Sequence, residues 1–460
     1  MMRRCSPLLL ALPTFEERVK ALKDDWATNP RWEGVHRPYT AEQVVQLQGS
    51  LPPDPNYAQQ MTDKAFKMFT KLRDTQSCEV TFGALDPVQV TQMAKWAKVI
   101  YVSGWQCSST ASTSNEPGPD LADYPMDTIP NKVEQLTKAL RFHDRKQWQA
   151  NGGKQGKYDF HVPIIADADT GHGGLTAVMR LTRMYIDAGA AGMHLEDQRP
   201  GSKKCGHMGG KVLVATQEHI DRLIATRLQS DIMNGGTLIV GRTDSEAATL
   251  IDSNVDARDH PFIKGIDHKG RDVTFGDHVR ALIGDNADKL KRWNDAYFGL
   301  SNKDAWALAK DLVGEVPSWN WDEARSRDGF YGFEANTRAC IARGQAFAPY
   351  ADLLWMETAK PGIQQARQFA QGVKAVAPKK FLAYNLSPSF NWDAAGLTDE
   401  QIKSFCADLG KEGFVFQFIT LAGFHGSGMV ADLLAREFIA NKNMGGYVSQ
   451  IQRVEREKGI

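Results

Sequence analysis

The chain has 460 residues, 42% of them hydrophobic and 24% charged, with 55 Lys+Arg against 55 Asp+Glu. At roughly 100–200 residues per domain, that is a globular protein of two or three domains or one large α/β barrel with insertions. The balanced charge gives no electrostatic case for nucleic acid or an anionic membrane as main partner, and the longest apolar run, Leu8–Leu12, is too short to cross a bilayer.

Residues 1–13 carry Arg3 and Arg4 and no acid, a pattern that allows a short mitochondrial presequence or a plain terminus; acids from Glu16 onward end it. Residues 1–75 read as an N-terminal helical segment with a loop at Leu51–Asn56. Eight short apolar, β-rich runs follow: Glu79–Gly83, Val99–Ser103, Val162–Asp167, Gly192–Glu196, Leu238–Arg242, Asp352–Glu357, Phe381–Asn385 and Phe414–Ile419. Helical patterns lie between them, such as Val88–Trp96, Thr176–Asp187, Glu218–Asp231 and Gln364–Val376. Strands alternating with helices predict a parallel sheet, and eight of them predict a (β/α)₈ TIM-type barrel over 76–264 and 329–428. An open doubly wound sheet is the rival, but no GxGxxG follows the first strand and no GxxxxGK[ST] is present. Residues 265–328 read as an insertion of short helices, and 429–460 as an amphipathic helical tail suited to packing on another subunit. The six cysteines (5, 78, 107, 205, 340 and 406) are scattered without a CxxC, which fits reduced thiols.

Reactive residues of such a barrel sit at the C-terminal ends of its strands. Here those ends read Tyr101-Val-Ser103-Gly104-Trp105, Asp167-Ala-Asp169, His194-Leu-Glu196-Asp197, Arg242-Thr-Asp244, Trp355-Met-Glu357, Asn385-Leu-Ser387-Pro-Ser389 and Phe418-Ile-Thr420. This ring suits a hard divalent cation and a polycarboxylate substrate. Asp167 and Asp169, two apart, would share one face of a strand and offer oxygen ligands to Mg²⁺, with Glu196 and Asp120 completing the outer sphere. A DxD alone is equally a solvated turn. Cys205, in Lys203-Lys204-Cys205-Gly206-His207, is a thiol beside two lysines and an imidazole, which favours the thiolate. It could be a nucleophile, a general acid or half of a metal site, although a zinc site would need two more ligands nearby. Arg242 could bind a carboxylate bidentately or form a structural salt bridge with Asp244 or Glu246. Asn385, Ser387 and Ser389 alternate in an extended segment and offer donors to a second carboxylate.

Together these residues resemble the isocitrate lyase family. KKCGH at 203–207 resembles its signature, and SGW at 103–105, ADADTGHGG at 166–174, HLEDQ at 194–198, RTDSEAATL at 242–250, WMET at 355–358, NLSPSFNW at 385–392 and QFITLAGFH at 417–425 stand in the family's order, with NPRW at 29–32 matching its N-terminal part. The resemblance implies a barrel of the phosphoenolpyruvate mutase type, a homotetramer that swaps helices between paired subunits, and Mg²⁺ dependence, with Mn²⁺ as a substitute. It implies retro-aldol cleavage of isocitrate to glyoxylate and succinate, the reaction of the glyoxylate cycle. Cys205 would be the acid that protonates the carbanion, with His207 beside it, and Tyr101 the base, with Glu196 as its alternative. Ser103, Gly104, Trp105, Asp167, Gly206, His207, Arg242 and Glu357 would hold glyoxylate and metal, and Asn385, Ser387, Ser389 and Thr420 the succinate carboxylates.

The nearest rival is 2-methylisocitrate lyase, with the same motif and a substrate larger by one methyl, worth about 1–3 kcal/mol of discrimination. Trp355, Phe418 and Thr420 resemble the isocitrate-type pocket wall. The resemblance also implies a further tail after the position of Ile460 that folds over the site. Its lack here motivates a third reading, a catalytically silent barrel serving as an oligomeric scaffold; the intact ring of site residues opposes it. The compartment stays open among cytoplasm, glyoxysome or peroxisome, and mitochondrial matrix.

Overall fold

The computed structural model describes residues 12–118, 121–206 and 208–460. The eight apolar runs form eight parallel strands: β1 (Glu79–Phe82), β2 (Ile100–Val102), β3 (Ile164–Asp167), β4 (Gly192–Glu196), β5 (Leu238–Thr243), β6 (Leu353–Met356), β7 (Phe381–Asn385) and β8 (Phe414–Ile419). From β2 to β8 each strand pairs with its sequence neighbour, and β1 pairs with β8. The ring closes through a parallel bridge between Gly83 and Tyr101, where the Ala84 N–H donates to the Tyr101 carbonyl at 3.0 Å.

Side chains alternate along each strand. Tyr101, Ile165, Val240, Trp355, Ala383, Phe416 and Phe418 fill the barrel, while Ile100, Val102, Ala166, Met193, Leu195, Ile239 and Leu354 face the surrounding helices. Burial on both faces explains why the strands read as continuous apolar runs.

The helix Asn56–Asp74 closes the barrel's lower end. Its buried face, Ala58, Met61, Thr62, Ala65 and Phe69, follows the helical period, and Phe69 packs on Phe381 and Phe416 with ring centroids 6.0 and 5.7 Å apart. Earlier in the chain, the 3-10 turn Pro30–Trp32 carries Arg31, buried and paired with Asp352 at 2.5 Å. Asp352 stands just before β6 and also takes Arg227 at 2.6 Å and the Ile239 N–H at 2.8 Å.

Between β5 and β6, residues 264–320 form a lobe with its own core around Phe275, Trp293, Tyr297, Leu312 and Trp319. The sequence reading of this stretch held helices only. The structure has helices Phe275–Ile283, Ala287–Ala296 and Asn302–Val313 and also a three-stranded antiparallel sheet of Lys264–Asp267, Asp272–Thr274 and Trp319–Asn320. These strands, two to four residues long, are too short to display alternation. After β8 the chain ends in helical segments from Ala422 to Lys458, which expose Met429, Val430, Leu433, Phe438 and Ile439. No helix among the described residues is long and apolar enough to cross a membrane.

Arg31→Ala would leave Asp352 buried with one cation instead of two. Breaking a buried pair costs about 3–5 kcal/mol, so the variant should unfold at a clearly lower temperature by circular dichroism. Burial opposes ionisation of Asp352, but Arg227 and Arg31 outweigh it and hold the carboxyl well below the ordinary range. Its contribution is therefore present above the unfolded carboxylate pKa and lost as pH falls through the depressed value. An Arg31→Ala protein that melts with the parent would overturn this account.

Candidate active site

The C-terminal ends of the strands converge on one pocket. Tyr101 and Ser103 enter it from β2, Trp105 from the helix Gly104–Thr110, Asp167 from β3 and Arg242 from β5. Glu357 follows β6, Asn385, Ser387 and Ser389 follow β7, and Thr420 follows β8. Cys205 and Gly206 reach it from the loop after β4. The sequence reading missed three lining residues, Lys203, Pro388 and Leu421. His207 and Asp120, expected at the site, lie outside the described residues.

Asp167 is the best-supported carboxylate. One oxygen accepts the Gly104 N–H at 3.0 Å; the other accepts the Asp169 N–H at 2.9 Å and stands 3.1 Å from His194 Nε2. Gly104 suits this contact, because a Cβ there would come within 3.0 Å of the Asp167 carboxylate and 2.5 Å of the Tyr124 hydroxyl. Burial alone would raise the Asp167 pKa. His194, Lys203, the Asp169 N–H and Arg242 together hold it below the usual carboxylate range. Burial pushes the His194 imidazole down to about 4, so that ring is neutral at pH 7.

Asp169 behaves differently from the expectation that it shares a strand face with Asp167. β3 ends at Asp167, and Asp169 lies beyond it with φ 49°, in the left-handed region. The period-two argument therefore does not reach it. Its side chain turns inward, away from the pocket lining, to Tyr124, to His172 at 3.6 Å and to Lys203 at 2.8 Å. Lys203 is thus the buried counter-ion of Asp169, and it also stands 4.0 Å from Glu196.

Arg242 resolves the two readings of its side chain. Asp244 takes its fork at 3.0 and 2.9 Å, the third nitrogen stands 3.0 Å from Glu196 Oε2 as an ion pair outside hydrogen-bond alignment, and the guanidinium lies 4.4 Å over Trp355. The salt bridge with Asp244 is formed, and Arg242 still lines the pocket. Lys211 reaches Asp244 at 2.7 Å from the other side. Glu196 stands behind Arg242 and does not line the pocket; burial raises its carboxyl well above the ordinary range. Burial also raises Glu357, whose carboxylate accepts from Asn385 Nδ2 at 3.2 and 3.4 Å. Asn385 Oδ1 is buried without a hydrogen-bond partner.

The Cys205 loop is clamped at its base. Gln198 Oε1 accepts from the Lys204 N–H at 2.9 Å, and its Nε2 donates to the Lys204 carbonyl at 2.9 Å. Gly206 then passes so close to β6 that a Cβ would meet Glu357 Oε1 at 2.0 Å. The loop and the β6 end can approach only because this position is glycine. Trp355 and Phe418, expected in the pocket wall, lie one layer beneath it. They pack edge to face at 5.1 Å, and Phe418 stacks under Tyr101 at 4.3 Å. Of the three expected wall residues only Thr420 lines the pocket.

The profile of the isocitrate lyase family matches residues 18–280 and 277–460. The chain is 46% identical to isocitrate lyase of Oryza sativa subsp. japonica over 97% of its own length and 86% of that protein's. It is 40% identical to mitochondrial 2-methylisocitrate lyase of Hypocrea atroviridis, over 97% and 87%. Among solved structures, oxaloacetate acetylhydrolase shares the fold with a TM-score of 0.50 and 18% identity, covering 86% of this chain and 98% of that one. With a family match spanning the barrel, the site and the tail, the chain belongs to the isocitrate lyase family.

Proposed function

We propose that the protein cleaves isocitrate to glyoxylate and succinate by a Mg²⁺-dependent retro-aldol reaction. The observation that carries this reading is the single pocket in which Asp167, Arg242, Cys205 and the Asn385–Ser389 segment meet. The higher identity to an isocitrate lyase than to a 2-methylisocitrate lyase, 46% against 40%, supports isocitrate as the substrate.

Asp167 fits a hard divalent cation. It is held as an anion, offers oxygen and lines the pocket, and Asn385 Oδ1 adds an unsatisfied acceptor in the same cavity. Asp169 supports it from behind by fixing Lys203 and donating its N–H. Mg²⁺, or Mn²⁺ in its place, supplies Lewis acidity for the glyoxylate half of the substrate. Ser103, Gly104, Trp105, Gly206, Arg242 and Glu357 bind that half, and Asn385, Ser387, Ser389 and Thr420 take the succinate carboxylates. His207 follows Gly206 in the chain and is assigned to the same half.

The base takes the proton of the C2 hydroxyl as the C2–C3 bond breaks. Tyr101 is assigned this role over Glu196 on position, since Tyr101 lines the pocket and Glu196 stands behind Arg242. Burial holds the Tyr101 phenol protonated in the resting site, and the Arg242 charge works against that. To act as base Tyr101 must give up its own proton, and its hydroxyl, 2.9 Å from Nε2 of the neutral His194 ring, would pass that proton there as it takes the substrate's. The carbanion left on the succinate half is protonated by the Cys205 thiol. The exposed apolar side chains on the Ala422–Lys458 helices support burial against other copies of the chain, as in a homotetramer.

Purified protein with isocitrate and Mg²⁺ should release glyoxylate, read as its phenylhydrazone; release of none would sink the assignment. Chelation should abolish the signal, and added Mg²⁺ should restore it. Cys205→Ser should lower kcat by about 10²–10⁴ while leaving the circular dichroism spectrum unchanged. With 2-methylisocitrate, kcat/KM should be lower than with isocitrate by roughly 10–200-fold, the effect of one methylene-sized mismatch. Equal values would return the choice to the methylated substrate.

A further inference from the structure

The inserted lobe brings ligand-type side chains together away from the barrel. Asp267 ends the strand Lys264–Asp267, His268 follows it in the turn, and His278 lies on the helix Phe275–Ile283. Each offers one ligand atom, and these three atoms all lie within 4.8 Å of one another.

The environment of His278 gives this cluster its meaning. The ring is fully buried, and Nε2 is 3.1 Å from the Pro317 carbonyl oxygen. A carbonyl only accepts, so Nε2 carries the proton and Nδ1 of the neutral ring presents a lone pair. Nδ1 has no hydrogen-bond partner and faces Asp267 Oδ2 across 3.9 Å. Two acceptors facing each other across a buried gap are unfavourable unless a cation lies between them. A ring N–H donated to a backbone carbonyl is also the usual support of a metal-bound histidine. Asp267 is prepared in the same way: its Oδ1 accepts the N–H groups of Lys269 and Arg271, each at 2.9 Å.

We propose that Asp267, His268 and His278 bind a divalent transition-metal ion of the zinc type, at a site separate from the barrel pocket. Two imidazoles and one carboxylate with an open fourth position are a recognised donor set for such an ion. Tetrahedral ligands lie roughly 3.4 Å apart at zinc distances, a spacing that rotation of the exposed His268 ring can reach. Arg271 contacts Asp267 Oδ2 at 2.8 and 2.7 Å and is the cation that the metal displaces; its half-exposed side chain can swing into solvent. The ion would pin the 264–274 hairpin to the following helix and so stabilise the lobe.

The test uses the full chain, stripped of metal and then saturated with Mg²⁺ to fill the barrel site. Co²⁺ is titrated while its visible absorption is followed, and Zn²⁺ is then added in competition. The expected result is one Co²⁺ per chain with a tetrahedral spectrum, displaced by Zn²⁺. His268→Ala, at an exposed position, should weaken binding at least about tenfold, and Arg271→Ala should tighten it. Asp167→Asn should leave the spectrum intact. Absence of the band at saturating Mg²⁺, or affinity unchanged in His268→Ala, would overturn the site and leave the cluster as an Asp267–Arg271 ion pair in a turn.

Discussion

The active site depends on how the Arg242 charge is held. Burying a guanidinium costs several kcal/mol unless partners replace its water. Here two carboxylates and an aromatic face do so: Asp244 across the fork, Glu196 at a third nitrogen and Trp355 beneath. Asp244 in turn shares Lys211, and its N–H donates to Asp197 at 2.9 Å. Asp197 takes Arg343 at 3.0 Å, and Arg343 reaches Asp259 at 2.8 Å. The floor of the pocket is therefore the end of a buried network in which Arg242, Lys211 and Arg343 offset Asp244, Asp197 and Asp259, with the two neighbouring carboxylates Asp244 and Asp197 joined by a backbone N–H. Each buried charge is offset by its neighbours, so the groups that orient Arg242 are in place in the protein itself.

That network explains why distant loops matter to the site. Asp259, at its far end, lies just before the inserted lobe and also receives the Thr216 N–H at 2.8 Å and its hydroxyl at 2.7 Å. The helix Thr216–Ile232 starts there, and its Arg222 donates to the Gln198 carbonyl at 2.9 Å. Gln198 is the residue that clamps the base of the Cys205 loop. The thiol's position is thus tied, through Gln198 and Arg222, to the same framework that holds Arg242.

The barrel was legible in the sequence because parallel strands buried on both faces must be apolar throughout and must end in polar residues at the mouth. All eight runs are strands for that reason. Much of the pocket lining was legible for the same reason, since Asp167, Arg242, Glu357 and Asn385 are the polar last positions of their runs, while Cys205 and Gly206 stand on a longer loop after the fourth. What failed were inferences needing backbone detail. Asp169 sits past the strand end in a left-handed conformation, so counting by two misplaced it. Trp355 and Phe418 alternate inward on their strands, yet they fall below the pocket, because depth along the barrel axis is set by register between strands and not by the order of residues in one strand. Lys203 read as a neighbour of Cys205, although its ammonium serves Asp169, and His194 gave no signal beyond its place beside Glu196. The small sheet of the inserted lobe was invisible because its strands span at most two periods of the strand alternation, too few to stand out.

The carboxyls of the site are separated by environment, not by type. Asp167, reached by two backbone N–H groups and close to buried cations, stays ionised below the usual range, whereas burial lifts Glu357 and Glu196 above it. Such a split assigns roles. An anion that keeps its charge in a closed cavity is what a cation needs, while a carboxyl lifted towards neutrality can stand beside a carboxylate substrate without repelling it. Arg242 lies between the two classes and stays charged throughout, since Arg is protonated across the physiological range. The pocket lining thus combines the cations Arg242 and Lys203, the ionised Asp167 and Glu357, whose carboxyl burial raises. Two cations and two carboxyls of unlike proton affinity therefore share one small cavity, a mixed lining and not a surplus of positive residues.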